Sequence, residues 1–390
     1  MKELSFVSII IVNYDGKKWL KDCFESLEKL DYLKDKYEVI MGDNASSDDS
    51  VEYTKKNFPW IRVLQFDKNY GFCKANNLCA KESKGEYLIF LNNDTTVTKS
   101  WLKNLVDGVL SEEYVISCAC KMLYYPSNFN GKYIINTAGG KISPSGGGFY
   151  TGMREEDKKI YNIPRYTGFG CGAGVLIEKK FFIKTGGFDE QYIYGVEEMD
   201  LGLRVWMYGY KVLYVPMAVM YHFGSGTGRS KGPNPKFLFF STLGELHFIF
   251  KNFEVKNVLN GIFYHFFIRF AMVWVTIVIY GILHRNIYIS YEIIKAIIKG
   301  YFSFFRNIRE TFQKRRNVQK NRQISDSELY KMGLITSFRE WFKLHISLFK
   351  TVNSSTTSYL KKTTTYKTRT NLKKYEDMIN IEELIKETNK

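Results

Sequence analysis

Short apolar runs in the first hundred residues each break into polar side chains of one kind. The first ends in Val12-Asn13-Tyr14-Asp15, the second in Gly42-Asp43-Asn44-Ala45-Ser46, and a later one in Leu91-Asn92-Asn93-Asp94. Between them stand Asn69-Tyr70-Gly71-Phe72 and, one helical turn on, Asn76-Asn77. Amide and carboxylate groups of this sort suit a base, a ribose and a metal-bound diphosphate. Singly, Asn, Asp and Gly are the ordinary residues of turns and helix caps. Their repetition is more telling, because in an open parallel sheet the ligand sits outside the carboxyl ends of the strands.

Further along, the turn Gly186-Gly187-Phe188-Asp189 leads to a second acidic group, Glu197, Glu198 and Asp200. Carboxylates at a helix start are favoured by the macrodipole, and Asp200 with Arg204 makes an i,i+4 pair, so structure alone can account for them. Chemistry that removes a proton from a hydroxyl would also need such a group. His222 stands 24 residues beyond Glu198, just past a strand, where a lone His is commonly structural but can also ligate a metal.

The elements that would position these residues follow from periodicity. Val7–Asn13, Glu38–Asp43, Arg62–Phe66, Tyr87–Asn92 and Val115–Cys120 are β-branched runs, and helices fill the gaps near 17–30, 47–57, 71–84 and 100–110. That alternation predicts a mostly parallel sheet with crossover helices on both faces. Residues 122–167, with Pro126, Pro144, Pro164 and Ser145-Gly146-Gly147-Gly148, predict loops and a hairpin. Regular structure resumes with a strand over Cys171–Ile177, a helix from Glu197 to Tyr208 and a strand over Lys211–Val215.

The chain has 390 residues, more than one ordinary domain requires. Its 45% hydrophobic content with 7 prolines excludes a disordered protein. The formal charge of +16 is unevenly spread: residues 251–390 hold 25 Lys and Arg against 11 Asp and Glu, a net +14. That basic part also carries the apolar stretch Ile262–Leu283, interrupted only by His265 and Arg269, and an amphipathic helix over Ile287–Phe305. Basic and apolar together fit an anionic membrane surface and not nucleic acid. Ile262–Leu283 is long enough to span, but a span would leave the basic tail on the far side, against the positive-inside tendency. We therefore expect these helices to lie in or re-enter the cytoplasmic leaflet, with Lys314-Arg315-Arg316, Lys320 and Arg322 on the headgroups. The six cysteines form no CxxC pair and predict reduced, packed thiols in a cytosolic domain. Three regions result: 1–235, a helical membrane-associated 236–350, and a Ser, Thr and Lys-rich tail 351–390 ending in a short helix.

In order and spacing, Val7 to Tyr14, Asp43-Asn44-Ala45-Ser46-Ser47-Asp48, Asn69 to Phe72 with Asn76-Asn77, Phe90 to Asp94, and Gly187 to Glu190 followed by Glu197 to Leu201 resemble family 2 glycosyltransferases, in particular the rhamnosyltransferase-like branch. The resemblance covers about residues 5–225. It implies a GT-A fold, a nucleoside diphosphate sugar donor, Mg2+ or Mn2+, and inversion at the anomeric carbon. It places Asn13, Tyr14 and Asp43 at the base and ribose, Asn69 and Gly71 along the nucleotide, and Asn92, Asn93 and Asp94 at the DxD position. Asp94 would ligate the metal with His222, and Glu198 would be the catalytic base. Asn92 stands where the motif commonly has Asp, and Glu198 where it has Asp. A glycan or lipid-linked acceptor at the cytoplasmic face of the membrane fits the basic helices. A nucleotidyltransferase would share the first half but not need the later acids or His222, and a scaffold would need none of these groups.

Overall fold

The structure, a computed structural model, describes residues 5–193, 195–224, 234–277, 287–337 and 339–343. Its strands are β1 (Val7–Asn13), β2 (Tyr37–Asp43), β3 (Arg62–Gln65), β4 (Tyr87–Asn92), β5 (Thr95–Val97), β6 (Val115–Tyr124), β7 (Ile135–Thr137), β8 (Gly140–Ile142), β9 (Gly148–Tyr150), β10 (Arg165–Tyr166), β11 (Gly174–Glu178) and β12 (Lys211–His222). Helices α1 (Lys17–Glu28), α2 (Ser50–Asn57), α3 (Gly71–Glu82), α4 (Trp101–Val109), α5 (Lys179–Lys184) and α6 (Glu197–Met207) alternate with them. After β12 come α7 (Pro235–Asn252), α8 (Val255–Thr276), α9 (Ile287–Arg306), α10 (Ile308–Lys320) and α11 (Asp326–Lys331).

The central strands are buried on both faces, which is why β1 reads as an unbroken apolar run: Val7, Ile9, Ile10 and Ile11 are inaccessible to solvent. Helix α1 covers one face with Leu20, Cys23, Phe24 and Leu27, spaced for a single stripe. The sheet runs β10-β12-β6-β11-β4-β1-β2-β3. Strands β1 to β4 are mutually parallel, as the alternation predicts. Strand β11 is not: it is antiparallel to both β4 and β6, so the sheet is mixed. Its reversal has a consequence for the site, since the start of β11 lies beside the end of β4, with Gly174 opposite Leu91.

The last strand also differs from expectation. Instead of stopping at Val215, β12 continues to His222 through a register shift between Val215 and Val219 that accommodates Pro216. Proline inside a sheet is confined to such irregularities or to edges. Beyond the shift, β12 pairs with the three-residue β5, setting His222 opposite Thr95.

The helices after β12 share a core with the sheet domain: Phe248, Ile249 and Phe253 of the α7 region pack in one cluster with Tyr192, Val196 and Met199. The segment after α11 returns to the hairpin β8-β9, where Ile142 N–H donates to Leu334 O at 2.8 Å and Thr336 N–H to Ile142 O at 2.9 Å. This packing corrects the assignment of Lys314, Arg315 and Arg322 to headgroups, while Arg316 and Lys320 stay exposed. Arg315 donates to the carbonyls of Phe250 and Phe253, Arg322 to Asn252 O and Asp326, and Lys314 pairs with Asp189. His265 and Arg269 likewise point inward, onto Glu245. Among the described residues no helix is long and apolar enough to cross a membrane. Residues 278–283 of the apolar stretch, and the tail with its terminal helix, lie outside the described residues. All six cysteines are free, and five are buried.

Candidate active site

Parallel pairing brings the strand ends level, with Asn13 opposite Asp43 and Val12 opposite Asn92. Asn13 is wholly buried and ties three ends together. Its Nδ2 donates to Asp43 Oδ1 at 3.2 Å and to Ser46 Oγ at 3.1 Å, while its Oδ1 accepts from Asn93 Nδ2 at 2.7 Å. Asp43 is held from the other side by Ser46, whose N–H and hydroxyl donate at 3.0 and 2.6 Å. Gly16 closes this floor. A Cβ there would lie 2.1 Å from Asn93 Nδ2 and 2.5 Å from Asn13 Oδ1. The sequence carries no sign of that contact.

Asn69 and Gly71 form the turn into α3. Gly71 has φ +73°, and its N–H donates to Asn69 Oδ1 at 2.9 Å. Asn44 braces the turn from β2, accepting from Tyr70 N–H at 3.1 Å. Tyr14, Asn69 and Gly71 are exposed, whereas Asn13 turns inward. Asn77 is a latch elsewhere: it both donates to Phe188 O and accepts from Phe188 N–H, at 2.8 and 2.9 Å, fixing the Gly187-Phe188 turn.

Asp94 follows β4 and is 5% exposed. The pairing of β5 with β12 sets His222 beside it, with Nε2 3.1 Å from Asp94 Oδ1. That separation suits a hydrogen bond. It equally suits two adjacent ligands of a six-coordinate cation, which at about 2.1 Å each and a right angle are ~3 Å apart. The other ring nitrogen, Nδ1, stands 3.5 Å from Asn136 Nδ2. Among the described residues no group of three or more His, Cys, Asp or Glu could hold a metal. A cation here would therefore take its remaining ligands from phosphates and water, as Mg2+ commonly does.

Glu197 and Glu198 open α6. Glu198 is 6% exposed, and the Tyr150 hydroxyl donates to its Oε1. Burial raises the Glu198 carboxyl above its ordinary range, against the opposing effect of that hydrogen bond. Burial first, and then the charge of Glu198, pushes Glu197 up to about 8. The pair thus titrates nearer neutrality than ordinary carboxyls do, which is what proton transfer at neutral pH needs. Burial and the nearby carboxylates keep the Tyr150 phenol protonated.

Glu198 and the end of β4 flank the segment that leads into β11. A Cβ on Gly172 would lie 3.5 Å from Glu198 Oε2, and the next residue, Ala173, accepts from Asn92 N–H at 3.2 Å. The antiparallel insertion of β11 therefore links Glu198 to the end of β4. Asp200 plays another part. It accepts from Arg204 at 2.9 Å, Lys251 at 2.7 Å and Asn252 at 2.8 Å, wholly buried. Asp189 is clamped by Lys251 and Lys314, each at 2.6 Å, and these cations hold its carboxyl well below the usual range. Sequence reasoning passes over Tyr150, Gly16 and Lys251, and it assigns Lys314 to headgroups instead of to Asp189.

Residues 8–185 match the family described as Glycosyl transferase family 2, and the fold is of the GT-A-type α/β kind. The match ends before Glu197, Glu198 and His222. N-acetylgalactosaminyltransferase 6 of Drosophila melanogaster is 25% identical over 248 residues, covering 60% of this chain and 36% of that protein. Poly(ribitol-phosphate) beta-N-acetylglucosaminyltransferase TarS of Staphylococcus aureus is 30% identical over 100 residues, covering 25% of this chain and 18% of its own. The chain spans about a third of the length of the first curated relatives it matches. Among solved structures, a mannosyltransferase from Pyrobaculum calidifontis in complex with GDP-Man and Mn2+ superposes with a TM-score of 0.50 at 13% identity, over 78% of this chain and 88% of that one. That likeness concerns the fold.

Proposed function

We propose that the chain is an inverting glycosyltransferase that moves a sugar from a nucleoside diphosphate donor to a hydroxyl of a glycan or lipid-linked acceptor. The observation that carries this reading is the buried Glu198, with Glu197 beside it, linked through Gly172 and Ala173 to a strand end bearing Asp94 beside His222. A nucleotide-binding scaffold needs no carboxyl raised by burial.

In this reading Asp43 and the exposed Tyr14, Asn69 and Gly71 bind the nucleoside. Asn13, Asn92 and Asn93 hold the strand ends in register beneath it. Asp94 and His222 would hold Mg2+ or Mn2+, whose chemistry there is to offset the charge of the diphosphate. Glu198 takes the proton of the acceptor hydroxyl as that oxygen bonds to the anomeric carbon. The bond from that carbon to the diphosphate oxygen breaks on the opposite face, and configuration inverts. Tyr150 keeps the Glu198 carboxylate oriented.

A rhamnosyl donor is one candidate sugar. The names of the relatives speak of N-acetylgalactosaminyl and N-acetylglucosaminyl transfer, so UDP-N-acetylhexosamines belong beside deoxythymidine diphosphate rhamnose in any donor panel. Acceptor-free hydrolysis of the panel with Mn2+, Mg2+ or chelator tests the reading. We expect one donor to turn over, the chelator to stop it and Asp94→Ala to abolish it. Full turnover by Asp94→Ala in chelator would refute the cation assignment, and no turnover of any donor with metal and acceptor glycan would refute the activity.

A further inference from the structure

Helices α8 and α9 carry an outward surface that the sheet domain does not use. On α8, Val255, Leu259, Phe263, Phe266, Phe270 and Trp274 follow one another at three- and four-residue spacing and are all exposed, Phe263 by 64%. On α9, Tyr288 and Tyr291, then two turns on Ile298, Phe302 and Phe305, are likewise exposed, with Phe302 at 73%. The helices lie side by side and antiparallel. His265 Nδ1 meets the Tyr301 hydroxyl at 3.0 Å, while Met272 and Val273 pack with Ile293 and Ile297. Scattered exposed apolar residues are ordinary, but two neighbouring helices exposing aromatic stripes over their length are not.

The charges on these helices are segregated. Arg269 and His265, the two ionisable groups within the apolar stretch of α8, turn inward: Arg269 pairs with Glu245 at 2.8 Å and Nε2 of His265 lies 3.3 Å from the same carboxylate. Helix α8 has no Asp or Glu, and the single one on α9, Glu292, is 4% exposed and lies 3.5 Å from Lys295. Lys295 also stands over the Tyr291 ring, at 5.6 Å from its centroid. Exposed Arg306 and Arg309, with Lys299, continue the cationic margin at the far end of α9.

We infer that this α8-α9 face is a docking surface for an anionic lipid bilayer, entered by the aromatic stripes to headgroup depth and bordered by Lys295, Lys299, Arg306 and Arg309. An apolar face with cations at its margin and no exposed carboxylate on either helix is the pattern of helices that lie in the interface plane, and the exposed Glu310 beside Arg309 is paired with Lys314 at 2.8 Å. Charge argues against the other occupants. A second copy would bring cations against cations, and residues 344–390 hold nine Lys and Arg against five Asp and Glu, the same sign as the margin. The surface stands on its own geometry and does not depend on the proposed transfer reaction.

Sedimentation of the full chain with phosphatidylcholine vesicles, with and without phosphatidylglycerol, tests it. The chain should pellet with the anionic vesicles and be released by high salt. Neutralising Lys299, Arg306 and Arg309 to Gln should weaken binding by about fivefold each, or roughly a hundredfold together. Phe263→Asn, Phe270→Asn and Phe302→Asn combined should weaken it by at least roughly tenfold. Both variants leave the candidate site intact, and unchanged melting would show that both fold. Wild-type protein that stays in the supernatant at low salt would overturn the inference. So would pelleting of both variants as strong as wild type, or a dimer that the aromatic variant dissolves without any vesicle binding. Donor hydrolysis measured in parallel separates this result from the fate of the transferase reading.

Discussion

Removal of one hydroxyl, in Tyr150→Phe, should move the pH profile of the proposed reaction and little else. The phenol donates to Glu198 Oε1 and stabilises the charged form of that carboxyl. A hydrogen bond to an ionised group contributes about 1.5–3 kcal/mol. At about 1.4 kcal/mol per pH unit, its loss should raise the apparent pKa of the Glu197–Glu198 pair by roughly one to two units. Burial already holds both carboxyls high, so the shift adds to an elevated value. The groups that face Glu198 are Tyr150 from β9, Glu197 on its own helix, and Cys171 with the Gly172 backbone ahead of β11. Of these, Tyr150 alone offers a hydroxyl donor. The acidic limb of kcat/KM should therefore move to higher pH, with the variant most impaired near pH 6 and approaching wild type above the shifted limb. Donor hydrolysis from pH 5.5 to 9.5 with Mn2+, in buffers of constant ionic strength, reads this directly. A uniform loss at every pH, with the limb in place and the protein folded, would refute the coupling between Tyr150 and the base.

Two further outcomes follow from the same geometry. Between the ordinary carboxyl value of 4.5 and about 8, folded Glu197 holds a proton that the unfolded chain has released, so stability falls as pH rises through that window. Glu197→Gln should thus melt higher than wild type at pH 8, by about 1 kcal/mol or ~2–4 °C after allowance for its partial exposure, with the gain vanishing toward pH 4.5. Gly16→Ala should cost about 1–3 kcal/mol of overpacking and weaken nucleotide binding, because its Cβ would fall within 2.5 Å of both Asn93 and Asn13. Calorimetric titration with the nucleoside diphosphate checks it, and unaltered melting and affinity would show that the floor of the site is more yielding than drawn.

The parallel half of the sheet was legible because strands buried on both faces read as apolar runs ending in polar groups. The expected Val7–Asn13 and Tyr87–Asn92 coincide with β1 and β4. The reversed β11 was not legible, since apolar content says nothing of direction, and the direction here depends on the excursion between β6 and β11. Neither was the length of β12, which continues past Pro216 through an irregularity that its partner β6 permits. Within the site, Asp94 and His222 were singled out through the family resemblance, but their meeting depends on β5, three residues long and too short to leave a period. Tyr150 gave no signal, because nothing local marks a tyrosine after three glycines as the partner of an acid 48 residues away. Lys251 and Lys314 read as basic surface, and only the fold turns them onto Asp189 and Asp200.

The most direct test of the catalytic claim is single-turnover transfer by Glu198→Gln with a donor that binds and an acceptor glycan. Gln keeps the shape of the side chain and can still accept from Tyr150, but cannot take a proton. Transfer should fall by about 10²–10⁴-fold while donor affinity stays within a fewfold of wild type. Glu197→Gln, which matches the protonated carboxyl that Glu197 keeps up to about pH 8, should retain most of the rate. Wild-type transfer by Glu198→Gln alongside a dead Glu197→Gln would move the base by one residue, and wild-type transfer by both would contradict general-base catalysis at this pair.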